Sequence, residues 1–311
     1  MRVLVTGASG FVGGRLAPAL ERAGHEVRAM TRRPESYDGV GEAVAGDVHD
    51  RGSLVAALDG CDAAYYLVHS LDDPSFADRD AEAARNFAGA AAEAGVGRVV
   101  YLGGLGADDD DLSEHLRSRR EVEEILGGTG VPLTVLRAGI VVGHGGISWE
   151  MTRQLVEHLP AMITPKWVTT RCQPIAVDDV VRYLVGVLDV PDTAGRAFDV
   201  GGTEVLTYLQ MLQRVAAIQG RWRPMVPVPL LSPRLSSYWL AFVTDVDTQT
   251  GRSLIDSMSN EVVVRDGGAI RDLVPFTPMD YDDAVLTALG ERARARRGAA
   301  RAKADRKQAA R

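Results

Sequence analysis

The apolar positions change period along the chain. Residues 2 to 6, RVLVT, are a short run rich in branched side chains, and the GASGFVGG that follows opens a stretch to about Ala23 in which Leu16 and Leu20 lie one helical turn apart. That pattern predicts strand, glycine turn, helix. The unit then recurs: HEVRAMT reads as a second strand, EAVAGD as a third, DAAYYLVHS as a fourth, VGRVVYLGG as a fifth and VPLTVLRAGIVVG as a sixth, with helical spacing between them, notably over 75–94 and 112–126. Strands alternating with helices predict a parallel sheet covered on both faces, and near-continuous apolar runs such as VVYL fit strands buried on both sides. The expected fold class is α/β, a doubly wound parallel sheet.

After about residue 144 the rhythm loosens. Helical spacing returns near 147–158, 178–188, 207–219 and 233–257, separated by Pro-containing connections such as TPKWVTTRCQPIAV and RWRPMVPVPLLSP. The expected organisation is a sheet domain over 1–144 and a smaller irregular cap over 145–290, interleaved with the last sheet elements and laid against the carboxyl ends of the strands, where doubly wound folds bind ligands. A tail over 291–311 follows. It has nine Lys/Arg, two Asp/Glu and no aromatic or large aliphatic residue, which predicts a flexible, solvated helix or coil; a polybasic contact with an acidic partner or lipid surface is the alternative.

Composition narrows the function classes. The 311 residues are 46% hydrophobic and 25% charged, as in a globular protein of enzyme size. Of the net charge of −7, the tail contributes +7, so residues 1 to 290 carry −14. Such an acidic body argues against nucleic-acid binding. Cys61 and Cys172 form no CxxC pair, and the six histidines never fall at HxxH or HxxxH spacing, so neither a disulfide framework nor a metal site is expected. MRVLVTG runs straight into a strand without the features of a signal peptide, and no window of 18 uncharged apolar residues occurs. No integral membrane segment and, by default, a cytoplasmic location are expected.

The sharpest motif is TGASGFVGG, in which Gly7, Gly10 and Gly13 stand at GxxGxxG spacing between strand and helix. Such glycines allow a tight turn at Gly7, close approach of a pyrophosphate at Gly10 and packing of helix on strand at Gly13, while the helix start offers free N–H groups and positive dipole to phosphate. The motif predicts a dinucleotide-binding Rossmann sheet, with Gly7, Ser9, Gly10, Phe11, Val12 and Gly13 around the phosphates. A site for an unphosphorylated adenosine ribose would place Asp or Glu about 20 residues on. Here HEVRAMT ends in Thr31, Arg32 and Arg33, and two guanidiniums favour a 2′-phosphate. NADP is expected in preference to NAD, which stays possible.

TGASGFVGG, the GDV at 46–48, YYLVHSL at 65–71, the helix bearing Asn86, VGRVVYLGGLG and LRAGIVVG together resemble the atypical short-chain dehydrogenase/reductase family. More narrowly, the chain resembles bacterial NAD(P)-binding proteins whose fourth strand ends LVHS and whose helix after strand five carries HLRSR. The resemblance covers residues 1 to about 290. It implies that Asp47 and Val48 contact the adenine and that Val68 and His69 lie along the ribose and nicotinamide arm. Typical short-chain dehydrogenases carry Ser or Thr after strand five and a Tyr-x-x-x-Lys pair on the next helix. Here the strand ends in Gly103 and Gly104, and the helix reads His115-Leu116-Arg117-Ser118-Arg119, so that His115 replaces Tyr and Arg119 replaces Lys.

Spaced i and i+4, His115 and Arg119 share a helix face, and a histidine with a reference pKa of about 6.5 exchanges protons near neutrality. His115, Arg119 and His69 are the candidate catalytic residues; Arg119 is also a candidate to hold the cofactor ribose, though it cannot relay a proton. An exposed helix position for His115 and a structural hydrogen bond for His69 are the alternatives. Gly104, Arg171 and Trp239 are candidate substrate contacts, and His144 in GHGG is a further candidate at the same mouth. Tyr238, Trp239 and Phe242 in LLSPRLSSYWLAFVT predict an apolar lid suited to a hydrophobic, aromatic or quinone-like small molecule, with membrane-surface insertion as the other reading.

Three roles stay open: an NADP(H)-dependent oxidoreductase, a cofactor sensor like the nitrogen-metabolite-repression regulators of the same superfamily, and a structural NADPH-holding subunit like the related accessory subunit of respiratory complex I. The missing Tyr and Lys favour the latter two, and the pocket-forming second half favours the first. Fold alone does not name a substrate. Folds of this kind often pair through the fourth and fifth helices, which leaves a homodimer open.

Overall fold

Strand β1 (Arg2–Val5) lies inside a parallel sheet with β2 (Glu26–Thr31), β3 (Glu42–Ala45), β4 (Ala63–Tyr66), β5 (Arg98–Gly104), β6 (Leu133–Ala138) and β7 (Ala197–Val200). The computed structural model describes residues 1–106, 111–227, 244–245, 247–266 and 268–309. The seven strands are ordered β7-β6-β5-β4-β1-β2-β3. Val3 is in register with Val27 on one side and Ala63 on the other. The chain builds outward from β1 to β3 and then crosses back to β4. Strand order therefore reverses between β1 and β4, and the loops leaving those two strands diverge into a crevice.

Alternation explains the apolar runs. Val3 and Val5 face one side with Leu16, Ala17 and Leu20 of helix α1 (Gly13–Arg22), while Leu4 faces the other with Leu54 and Leu58 of α2 (Arg51–Leu58); all are fully buried. Phe87 of α3 (Phe76–Glu93) and Val122 and Leu126 of α4 (Glu114–Gly127) complete the second face. Two helically covered faces are what a doubly wound sheet needs.

A further core lies beyond the sheet, where Trp149 and Val156 of α5 (Ile147–His158) are buried with Leu105 and Leu116. Helix α6 (Val177–Asp189) turns back onto the sheet, with Val180, Tyr183 and Leu184 packed beside α1. Met211 and Val215 of α7 (Tyr208–Ile218) and Ile255 and Met258 at the end of α8 (Thr248–Ser257) join the core that holds Trp149. After the single turn α9 (Ile270–Leu273), helix α10 (Tyr281–Ala309) adds Tyr281 and Val285. Asp247 caps α8 by accepting from the Thr250 amide, and Ser113 caps α4 by accepting from the Leu116 amide, so both helices start at fixed points beside the crevice.

Three boundaries differ from the sequence pattern. The fourth strand ends at Tyr66, so Leu67 to His69 leave the sheet. The expected sixth strand breaks at Gly139, where Val262 of the cap packs 3.3 Å from where a Cβ would be, and Val141–Val142 pairs instead with Ile175–Ala176. The short strand β7, AFDV, lies beyond the six anticipated strands and extends the sheet by pairing with β6. The tail expected to be flexible from residue 291 continues α10, and it is tied at its base. Glu291 pairs with Arg15 at 2.8 Å and Arg292 with Glu157 at 2.6 Å, both with side chains about a quarter exposed or less. Residues 294–300 are exposed.

Two predictions follow from these contacts. A chain ending at Gly290 loses both ion pairs and unfolds about 1 to 3 kcal/mol more easily in urea than one ending at Ala293, which keeps them; equal midpoints would show that the helix base carries no stability. An added Cβ at Gly13 would lie 2.2 Å from the Gly7 carbonyl oxygen, whereas at Gly14 the nearest atom is 3.6 Å away. Gly13→Ala is expected to destabilise by at least about 1 to 3 kcal/mol and Gly14→Ala to stay neutral or stabilise by up to about 1 kcal/mol. The reverse order in a denaturation series would contradict the packing of α1 on this turn.

Candidate functional site

The crevice at the strand reversal is a cleft of about 440 Å³. Gly7 and Ser9 of the glycine turn form one wall, with Thr31 and Arg32 from the end of β2, and Gly46, Asp47, Val48 and His49 after β3. Val68, His69 and Ser70 after β4, then Asp72, Asp73, Pro74 and Arg79 at the entry to α3, form the other.

The glycine turn has the form that a diphosphate requires. Gly7 adopts φ +64°, a conformation open to glycine, and a Cβ there would meet the Leu67 carbonyl oxygen at 3.2 Å. The Gly10 amide donates to the Gly7 carbonyl at 2.9 Å and the Gly14 amide to the Gly10 carbonyl at 2.9 Å. Among the described residues the amides of Ser9, Phe11, Val12 and Gly13 donate to nothing, and the first turn of α1 holds no acidic residue. Four unengaged N–H groups at a positive helix end suit an anion, so the residues present fit a dinucleotide diphosphate. Gly10, Phe11, Val12 and Gly13 stand beside the cleft rather than among the residues of its wall. The Phe11 ring packs toward Gly143 and Gly146, with the Arg15 guanidinium 4.8 Å from its centroid. Arg15 also donates to the Phe11 and His144 carbonyls at 2.9 Å, which joins the turn to the cap.

At the outer end, Arg32 lines the cleft and Arg33 does not. The Arg33 amide donates to Thr31 Oγ1 as the chain turns away. Asp47 Oδ1 accepts from the His49 amide at 3.0 Å, and Asn86 Nδ2 donates to the Val48 carbonyl at 3.2 Å, so the segment after β3 is held in place. Arg79 is a cation that the sequence reading missed; it sits 3.3 Å from His49 Nε2 and 3.4 Å from Asp73 Oδ2. Its direction depends on where α3 begins, which is set by an Asp73 carboxylate accepting from the Ser75 amide and hydroxyl.

At the inner end, His69 Nδ1 lies 2.9 Å from Asp80 Oδ2, and Asp80 Oδ1 accepts from the Ser70 amide at 2.9 Å. Asp80 is 3% exposed, and it too escaped the sequence reading. A signal was present: with Ala84, Phe87 and Ala91 it lies on the apolar face of α3, where an acid needs a partner. His115 stacks on His69, ring centroids 5.3 Å apart, and its Nδ1 is 3.1 Å from Ser257 Oγ of the cap. Burial lowers the His69 pKa, against the Asp80 hydrogen bond. Burial, then the charges of His69 and Arg119, push His115 down to about 3. In this surrounding the neutral form of His115 is favoured, whereas its spacing on the helix led to the expectation of titration near neutrality.

Arg119 is also placed differently from the expectation that it holds the cofactor. Its guanidinium donates to the Leu102 carbonyl and lies 4.9 Å from the Tyr101 ring centroid, closing α4 onto β5, and it is not part of the cleft wall. At Gly104 a Cβ would lie 2.9 Å from Leu116 Cδ2, so helix packing fills the space over it. Arg171 is exposed and 3.6 Å from Glu261, and His144 is held at 2.9 Å by Glu150; neither lines the cleft. Trp239, with Tyr238 and Phe242, lies outside the described residues. Among the described residues no group of three His, Cys, Asp or Glu could hold a metal ion, and no helix is long and apolar enough to cross a membrane.

The model of the NAD(P)H-binding family matches residues 7–168. A (4-alkanoyl-5-oxo-2,5-dihydrofuran-3-yl)methyl phosphate reductase of Streptomyces griseus is 32% identical over 231 residues, 70% of this chain and 74% of that protein. An uncharacterised protein of Mycobacterium tuberculosis is 30% identical over 230 residues, 73% of this chain but 24% of that longer protein. In fold, the chain is similar to the Citrobacter sp. triphenylmethane reductase complexed with NADP(H), with a TM-score of 0.75 at 16% identity, covering 92% of this chain and all of that one. It is likewise similar to an NADPH-dependent quinone oxidoreductase of Escherichia coli complexed with NADPH, with a TM-score of 0.74 at 20% identity over 91% of this chain and 98% of that one. The glycine turn, the cleft and these matches agree: the chain belongs to the NAD(P)H-binding family of reductases and epimerases, of the atypical short-chain dehydrogenase/reductase type.

Proposed function

We propose that the protein is an NADP(H)-dependent oxidoreductase acting on a hydrophobic, aromatic or quinone-like small molecule. The observation that carries this reading is the cleft itself, which has Gly7 and Ser9 of the glycine turn in its wall, Arg32 at its outer end and His69, held by the buried Asp80, at its inner end. In this reading Gly7, Ser9, Gly10, Phe11, Val12 and Gly13 hold the diphosphate, and Arg32 the 2′-phosphate. Asp47 and Val48 hold the adenine, while Val68 and His69 flank the ribose and nicotinamide. A bound dihydronicotinamide supplies hydride to an electrophilic carbon. The cap over 145–290 covers the acceptor; the reductase named for the Streptomyces griseus relative supports hydride chemistry, and the quinone and triphenylmethane activities named for proteins of similar fold support an aromatic or quinone-like acceptor. A sensing or structural role is favoured by one observation: Arg119, the counterpart of the family lysine, donates to the Leu102 carbonyl and does not line the cleft.

NADPH oxidation against a panel of quinones, enones and ketones decides between the two. Turnover supports the oxidoreductase; tight NADPH binding without turnover on any acceptor supports the sensor. Because Arg32 lines the cleft and Arg33 does not, Arg32→Ala is expected to weaken NADPH about 10- to 150-fold, the worth of one charged hydrogen bond, and to leave NADH and the Arg33→Ala variant nearly unchanged. Equal wild-type affinity for NADPH and NADH would remove the 2′-phosphate assignment. With its pKa near 3, His115 contributes no ionisation between pH 6 and 9. His115→Phe should therefore keep the shape of the pH–rate profile in that window, and loss of a limb would return the proton to His115.

A further inference from the structure

Resting on the oxidoreductase reading, we propose that His69 is the proton-exchanging residue of the cleft and that Asp80 is the positioning residue that fixes its tautomer. The Asp80 carboxylate is buried and accepts from both the Ser70 amide and His69 Nδ1, which places the proton of the neutral imidazole on Nδ1. Nε2 is then left as the exchanging atom, and among the described residues nothing bonds to it. The ring lines the cleft and keeps a side-chain exposure of 27%, so Nε2 can reach a bound molecule and solvent. His115 lies against this ring at 23° between planes and is tied through Nδ1 to Ser257, which itself donates to the Ser253 carbonyl at 2.8 Å. That neighbour is a neutral support that limits tilting of His69.

The step balances as carbonyl reduction. The acceptor carbon takes hydride, with its electron pair, from the dihydronicotinamide, the carbonyl π bond moves onto oxygen, and His69 Nε2–H gives that oxygen its proton; imidazole then recovers a proton from solvent. In the alcohol-oxidising direction neutral Nε2 accepts the hydroxyl proton. The Asp80 carboxylate, against Nδ1, stabilises the imidazolium in both directions.

Three charged groups act on His69. Asp80 from α3 and Asp72 from the loop before it favour the imidazolium, whereas burial and the charge of Arg119 on α4 oppose it; His115 beside it is neutral. An acid must be protonated to donate, so the reduction rate should fall as pH rises through the His69 pKa. Removing the carboxylate lowers that pKa and moves the limb to lower pH.

The test joins 15N NMR of the His69 imidazole in the full chain, without cofactor, to kinetics and NADPH titration. Wild type should show the Nδ1–H tautomer. Asp80→Asn should mix the tautomers and lower the His69 pKa by about one unit or more. It should also cut kcat about 100-fold or more while the NADPH Kd stays within about threefold. His69→Gln, which can still bond Asp80 but exchanges no proton at that site, should lose the pH limb altogether. An unchanged tautomer and pKa in Asp80→Asn, or a retained limb in His69→Gln, overturns the pair as the proton source. If the NMR result holds but wild type turns over no acceptor, the oxidoreductase reading falls, and the donor role with it.

Discussion

The cleft depends on how closely α1 starts against the turn that leaves β1. A Cβ at Gly13 would lie 2.2 Å from the Gly7 carbonyl oxygen and 2.9 Å from the Ala8 backbone, so the approach exists only because residue 13 has none. That approach keeps the amino end of α1 at the point where the strand order reverses, and the turn's unengaged amides follow from it. The neighbouring cap is tied to the same place, since Arg15 joins the Phe11 carbonyl, the His144 carbonyl and Glu291 of α10. A side chain near the phosphate turn thus also anchors the base of the last helix.

Much of this was legible in the sequence because it is local. Strand, turn and helix at 2–22 are encoded by apolar period and glycine spacing, and the end of β2 by three consecutive polar residues of which Thr31 and Arg32 reach the cleft. Long-range placement was not legible. Arg119 and Gly104 look like site residues at family spacing, yet the guanidinium turns to the Leu102 carbonyl, and Leu116 covers the glycine, because α4 packs down on β5. Arg79 and Asp80 were hidden for the opposite reason. Both sit in a polar stretch, and which of them faces the cleft or the core depends on the exact start of α3 after the Asp73–Ser75 turn.

The histidines show how environment separates identical chemistry. His69 and His115 are stacked, and burial lowers both, but only His69 has a carboxylate against one nitrogen and an open cleft at the other. His115 meets a serine hydroxyl and the unfavourable charges of His69 and Arg119, so its charged form is strongly disfavoured. Spacing along a helix nominated His115 as the proton carrier; the buried acid on another helix lies instead against its neighbour, His69.

The central claim is that this cleft takes the dinucleotide with its adenosine at Arg32 and its nicotinamide at His69. A crystal structure of the NADPH complex tests it most directly. The account predicts the diphosphate against the Ser9–Gly13 amides, the 2′-phosphate at Arg32 and the nicotinamide ring beside His69. A nucleotide lying in the reverse direction, or outside the crevice between β1 and β4, would contradict it.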